Sequence, residues 1–563
     1  MSKPRRAIRG DCSPTGRRDQ SFALKTGGMR FCRRSLALCV AIVILFANGG
    51  MLASAASRPL RIGLVQQPNS LDPLHAVQFY ENYIAEAVFS ALCVIDDHGN
   101  PSPDLAREVP TKRNGGISAD GKTITYHLRD GVRWQDGVPL TSADVAFTLE
   151  RMRDPKWNFP ETTVYSIIDR LETPDPHTVV LHLHSAWADA TSELFIGGQA
   201  GSIVPKHVLR NVADPATSSF ESAPVGSGPY TVERWDRGSR ILLRANPGYF
   251  RGKPHIEHIE IDFVPDENVL ALRVKDGELD FSPQMPQTFA AQLHDSPSLR
   301  VRAVPTYTDV ELCFEIQRAP FDDPRVRRAL SLAIDRKRLI TSIYHGFALA
   351  DDDIVPPQSP FHTADSSFRL DGDAPAAARL LDAAGWKVGP DGIRRKGADA
   401  LSFVLTTQSG YAAITGDAVQ VQAMWRAIGV DASLRPIASN MLYAPSGTMV
   451  SGNFSVAILP DGYTVSPDRA DTLTTSGFPP GRNYSRYSDR DVDAWTAQGR
   501  VTDALEKRRS FYTEISQRLK RDAPLPVLVW VELVYVYNGA LSGLRPEPVN
   551  SDFWNVYDWS LSQ

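Results

Sequence analysis

Residues 128–152 read LRDGVRWQDGVPLTSADVAFTLERM. Two Asp-Gly pairs, Asp130-Gly131 and Asp136-Gly137, supply turns with a residue free to take positive φ. Residues 123–128, just before, alternate polar and apolar-leaning side chains, the sign of a half-buried strand. Val132-Arg133-Trp134 is expected as a short second strand. Thr141 precedes Val145, Leu149 and Met152, which fall on one helix face. Asp144, three residues after Thr141, completes a capping box with Asp in the usual Glu place. Strand, turn, strand, turn and capped helix employ every conspicuous side chain, so the stretch reads as scaffold.

With 563 residues the chain is too long for one ordinary domain and suffices for two or three. Its 42% hydrophobic and 22% charged residues describe a soluble globular protein. The first 55 residues are expected to be a signal peptide: Arg33-Arg34, an apolar run from Leu36 to Ala47, then the small-residue cleavage site Ala53-Ser54-Ala55. That run is shorter than the roughly 20 residues a spanning helix needs. Met29 would by itself open a signal of ordinary length, which leaves two candidate starts. Leu38 before Cys39 argues against a lipoprotein site. Residues 1–56 carry ten basic and two acidic side chains, so the rest of the chain has a net charge of −12 against −4 for the whole. An acidic exported protein is a poor partner for nucleic acid or anionic lipid. Cys12, Cys32 and Cys39 leave with the signal. Cys93 and Cys313 remain, too few for a disulfide framework, and Cys313 in Val310–Phe314 is expected as a buried free thiol.

No nucleophile elbow, zinc-protease helix, phosphate loop or dinucleotide fingerprint is present. His182 and His184 share one face of a strand, which is half a metal site or, the preferred reading, the wet face of an antiparallel sheet. His255 and His258 at a strand entrance read the same way. Asp323 before Pro324 is a helix cap. Further on, residues 225–235 turn through Asp236-Arg237-Gly238 into a hairpin. Helices are stopped at Gly385 and Gly429, with Val421 and Trp425 on one face of the second. Strands and helices mix throughout, an α/β pattern. No catalytic residue, metal or cofactor is expected.

These segments carry a resemblance. The opening stretch, GSGPY to WDRG at 226–238, NPGYFRGKP at 246–254, DGELD at 276–280, PFDDPRVRRALSLAIDR at 320–336, RLLDAAGW at 379–386 and NYSRYS at 483–488 resemble, in order, the extracytoplasmic solute-binding proteins of peptide and nickel ABC importers (family 5). The resemblance covers nearly all of residues 60–563. It implies a two-lobed periplasmic-binding-protein clamshell, class II and peptide-binding-like, with an extra subdomain in the first lobe. The expected division is lobe I at 58–95, 206–305 and 533–563, the subdomain at 96–205, and lobe II at 306–532. It further implies a periplasmic monomer that captures a peptide and hands it to a membrane permease. A non-peptide solute (metal chelate, sugar, opine) or a receptor or chaperone role is the alternative, and a secreted hydrolase is last.

Residues 527–537, VLVWVELVYVY, suit a strand crossing between lobes, with Tyr307–Phe314 as another. Glu532 is the only charge in the first of these, which makes it and Trp530 candidates for the cleft or hinge. Peptide-specific relatives often carry a Gly-Asp-Tyr-x-Asp-Pro-like loop whose Asp neutralises a peptide's ammonium. Here the loop reads Leu459-Pro460-Asp461-Gly462-Tyr463-Thr464-Val465-Ser466-Pro467-Asp468, so that position holds Tyr463 and Asp461 lies two residues earlier. The ligand-binding candidates are therefore Tyr463, Asp461, Trp530, Glu532 and Tyr307, with Asn69 from the first lobe.

Overall fold

Two long antiparallel strands, Leu299–Phe314 and Val527–Asn538, form the axis of the computed structural model. The structure describes residues 58–562 except 76–78, 158, 160–161, 199–200, 213–217, 365–371, 548 and 550–551. The expected signal segment and its three cysteines lie outside the described residues.

The two strands pair from Leu299 opposite Asn538 to Pro305 opposite Glu532, slip register, and resume with Asp309 opposite Trp530. The slip divides the apolar packing. Leu299, Val304, Val534 and Tyr535 pack with strands and helices from the N-terminal part of the chain. Val310, Leu312, Phe314, Leu528 and Val529 pack with Phe321, Leu330, Leu405 and Trp425. Before the slip Arg300 and Arg302 are exposed and only Leu299 and Val304 are buried, whereas Val310–Phe314 are buried throughout because both faces are covered.

One sheet runs through both packing regions. From one edge it comprises Asp431–Ile437, Ser402–Gln408, Val456–Gly462, the two axial strands, Phe281–Ser282, Leu60–Leu64, His258–Phe263, Arg240–Ala245 and Tyr230–Asp236. The hairpin expected after Gly226 is the last pair, turning with Gly238 at φ +77°. Trp425 lies at the centre of the second core, its indole N–H donating to the Leu330 carbonyl at 2.9 Å.

The opening stretch follows directly on a separate three-stranded sheet in which Thr178–Leu183 lies between Thr123–His127 and Ile168–Asp175. Helix Ser142–Arg153 covers it with Val145, Leu149 and Met152 buried. Asp144 accepts from the Thr141 N–H at 2.9 Å, so the capping box forms with Asp. Gly131 and Gly137 take φ of +73° and +88°. Val132-Arg133-Trp134 is not a strand of this sheet: it folds on itself, with the Trp134 N–H donating to the Val138 carbonyl at 2.8 Å. The second Asp-Gly turn closes it too tightly for a neighbour to pair. Cys93 and Cys313 are both buried free thiols. His182 and His184 go to different carboxylates, Glu172 at 3.3 Å and Asp169 at 3.8 Å.

Candidate functional site

Strand register concentrates charge at one place. Asp309 and Glu311 are two apart on the same strand, and Asp461 on Val456–Gly462 lies directly opposite Asp309. All three carboxylates therefore leave one face of the sheet. Arg469, 2% exposed, enters from the following loop, with Nη1 at 3.3 Å from Asp309 and Nη2 at 3.3 Å from Glu311 and 3.9 Å from Asp461. The Tyr463 ring lies over the guanidinium, 3.7 Å from carbon to centroid. Arg482 donates to Asp461 Oδ1 from the outer side and to Asp471 at 3.1 Å. The Tyr463 hydroxyl donates to Asp461 Oδ2. Burial pushes the Asp309 carboxyl up to about 7 and raises Glu311 well above its ordinary value, against the pull of Arg469. Burial also raises Asp461, opposed by Arg482.

Beside this cluster is a cavity of about 430 Å³. Asp461 and Arg482 face it together with Gln408, Tyr411, Tyr443 and Tyr484. The Tyr443 and Tyr484 rings are 5.7 Å apart, and Tyr443 donates to Gln408 Oε1 at 3.3 Å. Aromatic faces with a few convergent polar groups are the usual lining of a small-molecule site.

The structure brings Asp461, Tyr463 and Tyr307 together: the Tyr463 N–H donates to the Tyr307 carbonyl at 2.9 Å. The Tyr307 phenol is buried, which pushes it up to about 12 despite a hydrogen bond with Ser359. Trp530 sits on the strand across from Asp309 but is 1% exposed, and its N–H donates to the Asp353 carbonyl at 3.2 Å. As the direct partner of Asp309 it leaves the same face of the sheet as the charge cluster, with its side chain enclosed by protein. Glu532 lies opposite Pro305, at the slip itself, half-buried, with burial raising its carboxyl. Asn69 is exposed in the loop after Leu60–Leu64, its N–H donating to Glu81 at 2.8 Å.

A second set of polar residues escaped the sequence reading. Asp189, just before the short helix Ala190–Glu193, receives Arg508 Nη1 at 2.6 Å and the Ser466 hydroxyl. Glu193 receives the Thr464 hydroxyl, and the Ala188 N–H donates to the Arg500 carbonyl at 2.8 Å. The Asp189 and Arg508 side chains are 9% and 6% exposed. These bonds join the region of the small sheet to the loop that carries Tyr463. No local pattern announces a pair 319 residues apart.

The description of the bacterial extracellular solute-binding proteins, family 5 (middle region), matches residues 100–484. The chain belongs to this family. It is 28% identical over 546 residues to protein XP55 of Streptomyces lividans, covering 93% of this chain and 95% of that one. It is 25% identical to the oligopeptide-binding protein AppA of Bacillus subtilis, over 90% of this chain and 92% of AppA. The AppA structure in complex with a nonapeptide superposes with a TM-score of 0.73, covering 90% of this chain and 99% of AppA at 23% identity. NikZ from Campylobacter jejuni, in complex with Ni(L-His), gives 0.72 over 89% of this chain and 99% of NikZ, at 24% identity. The fold is thus the α/β two-lobed clamshell of family 5 with its additional subdomain, and the axial strands run through both packing regions. Among the described residues, no helix of this family 5 protein is long and apolar enough to cross a membrane.

Proposed function

We propose that the chain is exported, loses a signal near Ala56, and works as a monomeric, non-catalytic capture component that delivers peptides to an ABC permease. Lobe I takes residues 58–95, 206–305 and 533–563, the subdomain 96–205, and lobe II 306–532. The observation that carries the reading is the cavity of about 430 Å³ against Asp461, Arg482 and three tyrosines, at the side of the crossing strands. Two lobes joined by crossing strands open and close nearly as rigid bodies, and a ligand touching both favours the closed form. In this reading Tyr463, Asp461 and Tyr307 form the lobe II wall, Glu532 lies at the hinge, and Asn69 faces them from lobe I. Trp530, on the same face, packs beside that wall.

The state of Asp461 bears on the ligand. Both of its oxygens already accept, one from Arg482 and one from the Tyr463 hydroxyl. A carboxylate so engaged gains less from a ligand ammonium than a free one, for which a charge-assisted pair is worth roughly 1.5–3 kcal/mol. Weak discrimination between a peptide and its N-acetylated form is expected. Calorimetric titration of such a pair tests this: a large preference for the free amine that disappears in Asp461→Asn would show that Asp461 is the ammonium acceptor. The same engagement favours a second reading, a non-peptide solute such as a metal chelate. Native mass spectrometry of the purified protein separates the two by the mass of what it carries. Stimulation of a reconstituted permease's ATPase by the loaded protein distinguishes an importer from a receptor or chaperone.

A further inference from the structure

Among the described residues, one group of His, Asp and Glu has donor atoms all within 4.8 Å of one another: Asp72, His75 and Glu221. None of them lines the cavity described above. We propose that these three side chains form a binding site for one divalent transition-metal ion, of the zinc, cobalt or nickel type, on the first lobe.

Backbone hydrogen bonds hold both donor-bearing segments in place. Asp72 and His75 belong to one turn, closed by the His75 N–H to the Asp72 carbonyl at 3.1 Å. Glu221 ends the single turn Ser219–Glu221, and its carbonyl accepts from the Leu71 N–H at 3.0 Å. The His75 ring stacks on buried Trp157, centroids 5.5 Å apart and planes 17° apart, which fixes the plane of the imidazole. Its Nδ1 is turned to both carboxylates, at 2.6 Å from Glu221 and 3.5 Å from Asp72.

Asp72 supplies the independent observation. Its side chain is 1% exposed, and Oδ1 accepts from the Leu74 N–H at 2.9 Å. Its Oδ2 is fully enclosed yet has no hydrogen-bond donor; it points at His75 Nδ1 from 3.5 Å. Leaving a buried carboxylate oxygen so placed is costly, and a cation between it and the imidazole removes that cost. Zinc arms of about 2.0–2.2 Å set tetrahedral donors roughly 3.4 Å apart. Asp72 and His75 already have that spacing. Glu221 Oε1, hydrogen-bonded to Nδ1 at 2.6 Å, must retreat by about 0.8 Å on binding. It is free to do so, being a side chain 16% exposed. One imidazole and two carboxylates suit zinc, cobalt or nickel rather than calcium or magnesium, and three protein ligands leave a fourth position for water.

The test uses the whole mature protein, stripped with chelator and titrated calorimetrically with Zn(II), then with Co(II) followed by visible absorption. One ion per chain is expected, with intense tetrahedral Co(II) bands. Glu221→Gln and His75→Gln should each weaken Zn(II) by more than the roughly ten- to hundredfold that outer-shell partners cost, and abolish the Co(II) bands. His182→Gln should change neither. Because Asp72 is buried, Asp72→Asn is read only after its circular dichroism matches wild type, and Glu221→Gln decides if it does not. Absence of stoichiometric binding in wild type, or affinity unchanged in both Glu221→Gln and His75→Gln, overturns the site.

Discussion

Arg469 shows how much one side chain can hold. It is the buried cation that faces Asp309, Glu311 and Asp461. Arg469→Met should destabilise by about 3–5 kcal/mol, because removing one partner strands buried charge; urea unfolding at neutral pH measures it. Asp417 is the simpler case. Its carboxylate is fully buried, accepts from the Tyr344 hydroxyl at 2.7 Å, and burial pushes it up to about 7. The folded form therefore holds its proton more tightly than the unfolded chain, whose carboxyl titrates near 4. The stability this group contributes is full below about pH 4 and is lost as pH rises towards 7. Asp417→Asn keeps an acceptor for Tyr344 and removes the titration. Its urea midpoint should fall less than that of wild type between about pH 5 and pH 8; parallel curves would show that Asp417 does not titrate there.

Elements differ in how far local rules carry. Helix Ser142–Arg153 follows from its capping box and its apolar face, and the structure adds one detail: Asp144 also accepts from the Lys206 N–H at 3.0 Å. Asp144→Ala should therefore cost more than the ~1 kcal/mol of an ordinary cap, visible as a lowered melting temperature. Val132–Trp134 has strand composition, yet its partner is its own turn. Composition does not say what lies beside a segment. The Asp189–Arg508 pair makes the same point between elements. With both side chains almost fully buried, Asp189→Asn leaves the guanidinium short of a counter-charge. If this pair helps hold the clamshell closed, the ligand-free variant should show a larger radius of gyration by X-ray scattering than wild type. An unchanged radius with a lowered melting temperature would assign the pair to stability alone.

At the scale of the molecule, the register slip between Pro305 and Asp309, with Glu532 opposite its start, is where the packing changes from one core to the other. A bulge bends and twists a strand locally, which makes this the natural place for lobe rotation. Ligand should lower the radius of gyration; superimposable profiles with and without a tight ligand would count against closure. N-terminal sequencing of the exported protein should begin near Ala56, and retention of residues 36–46 would refute the signal.

The sequence by itself determined what depends on neighbours along the chain. Turns at Gly131, Gly137 and Gly238, caps at Thr141 and Asp323, the apolar faces around Met152 and Trp425 and the long strand at 527–537 all follow from spacing and backbone preference. The family and its clamshell came instead from a resemblance, carried by motifs such as those at 226–238, 246–254 and 320–336 in order along the chain. Only the tertiary structure decided where the charges meet. Asp309 faces Asp461 across 152 residues because of strand register, and register is set by the burial of whole faces rather than by either side chain. The same register puts buried Trp530 beside Asp309 on that face, and Asp461 is engaged because Arg482 and Tyr463 reach it in space. Asp189 with Arg508, and Glu221 with the Asp72–His75 turn, are likewise products of chain crossings that no local pattern encodes.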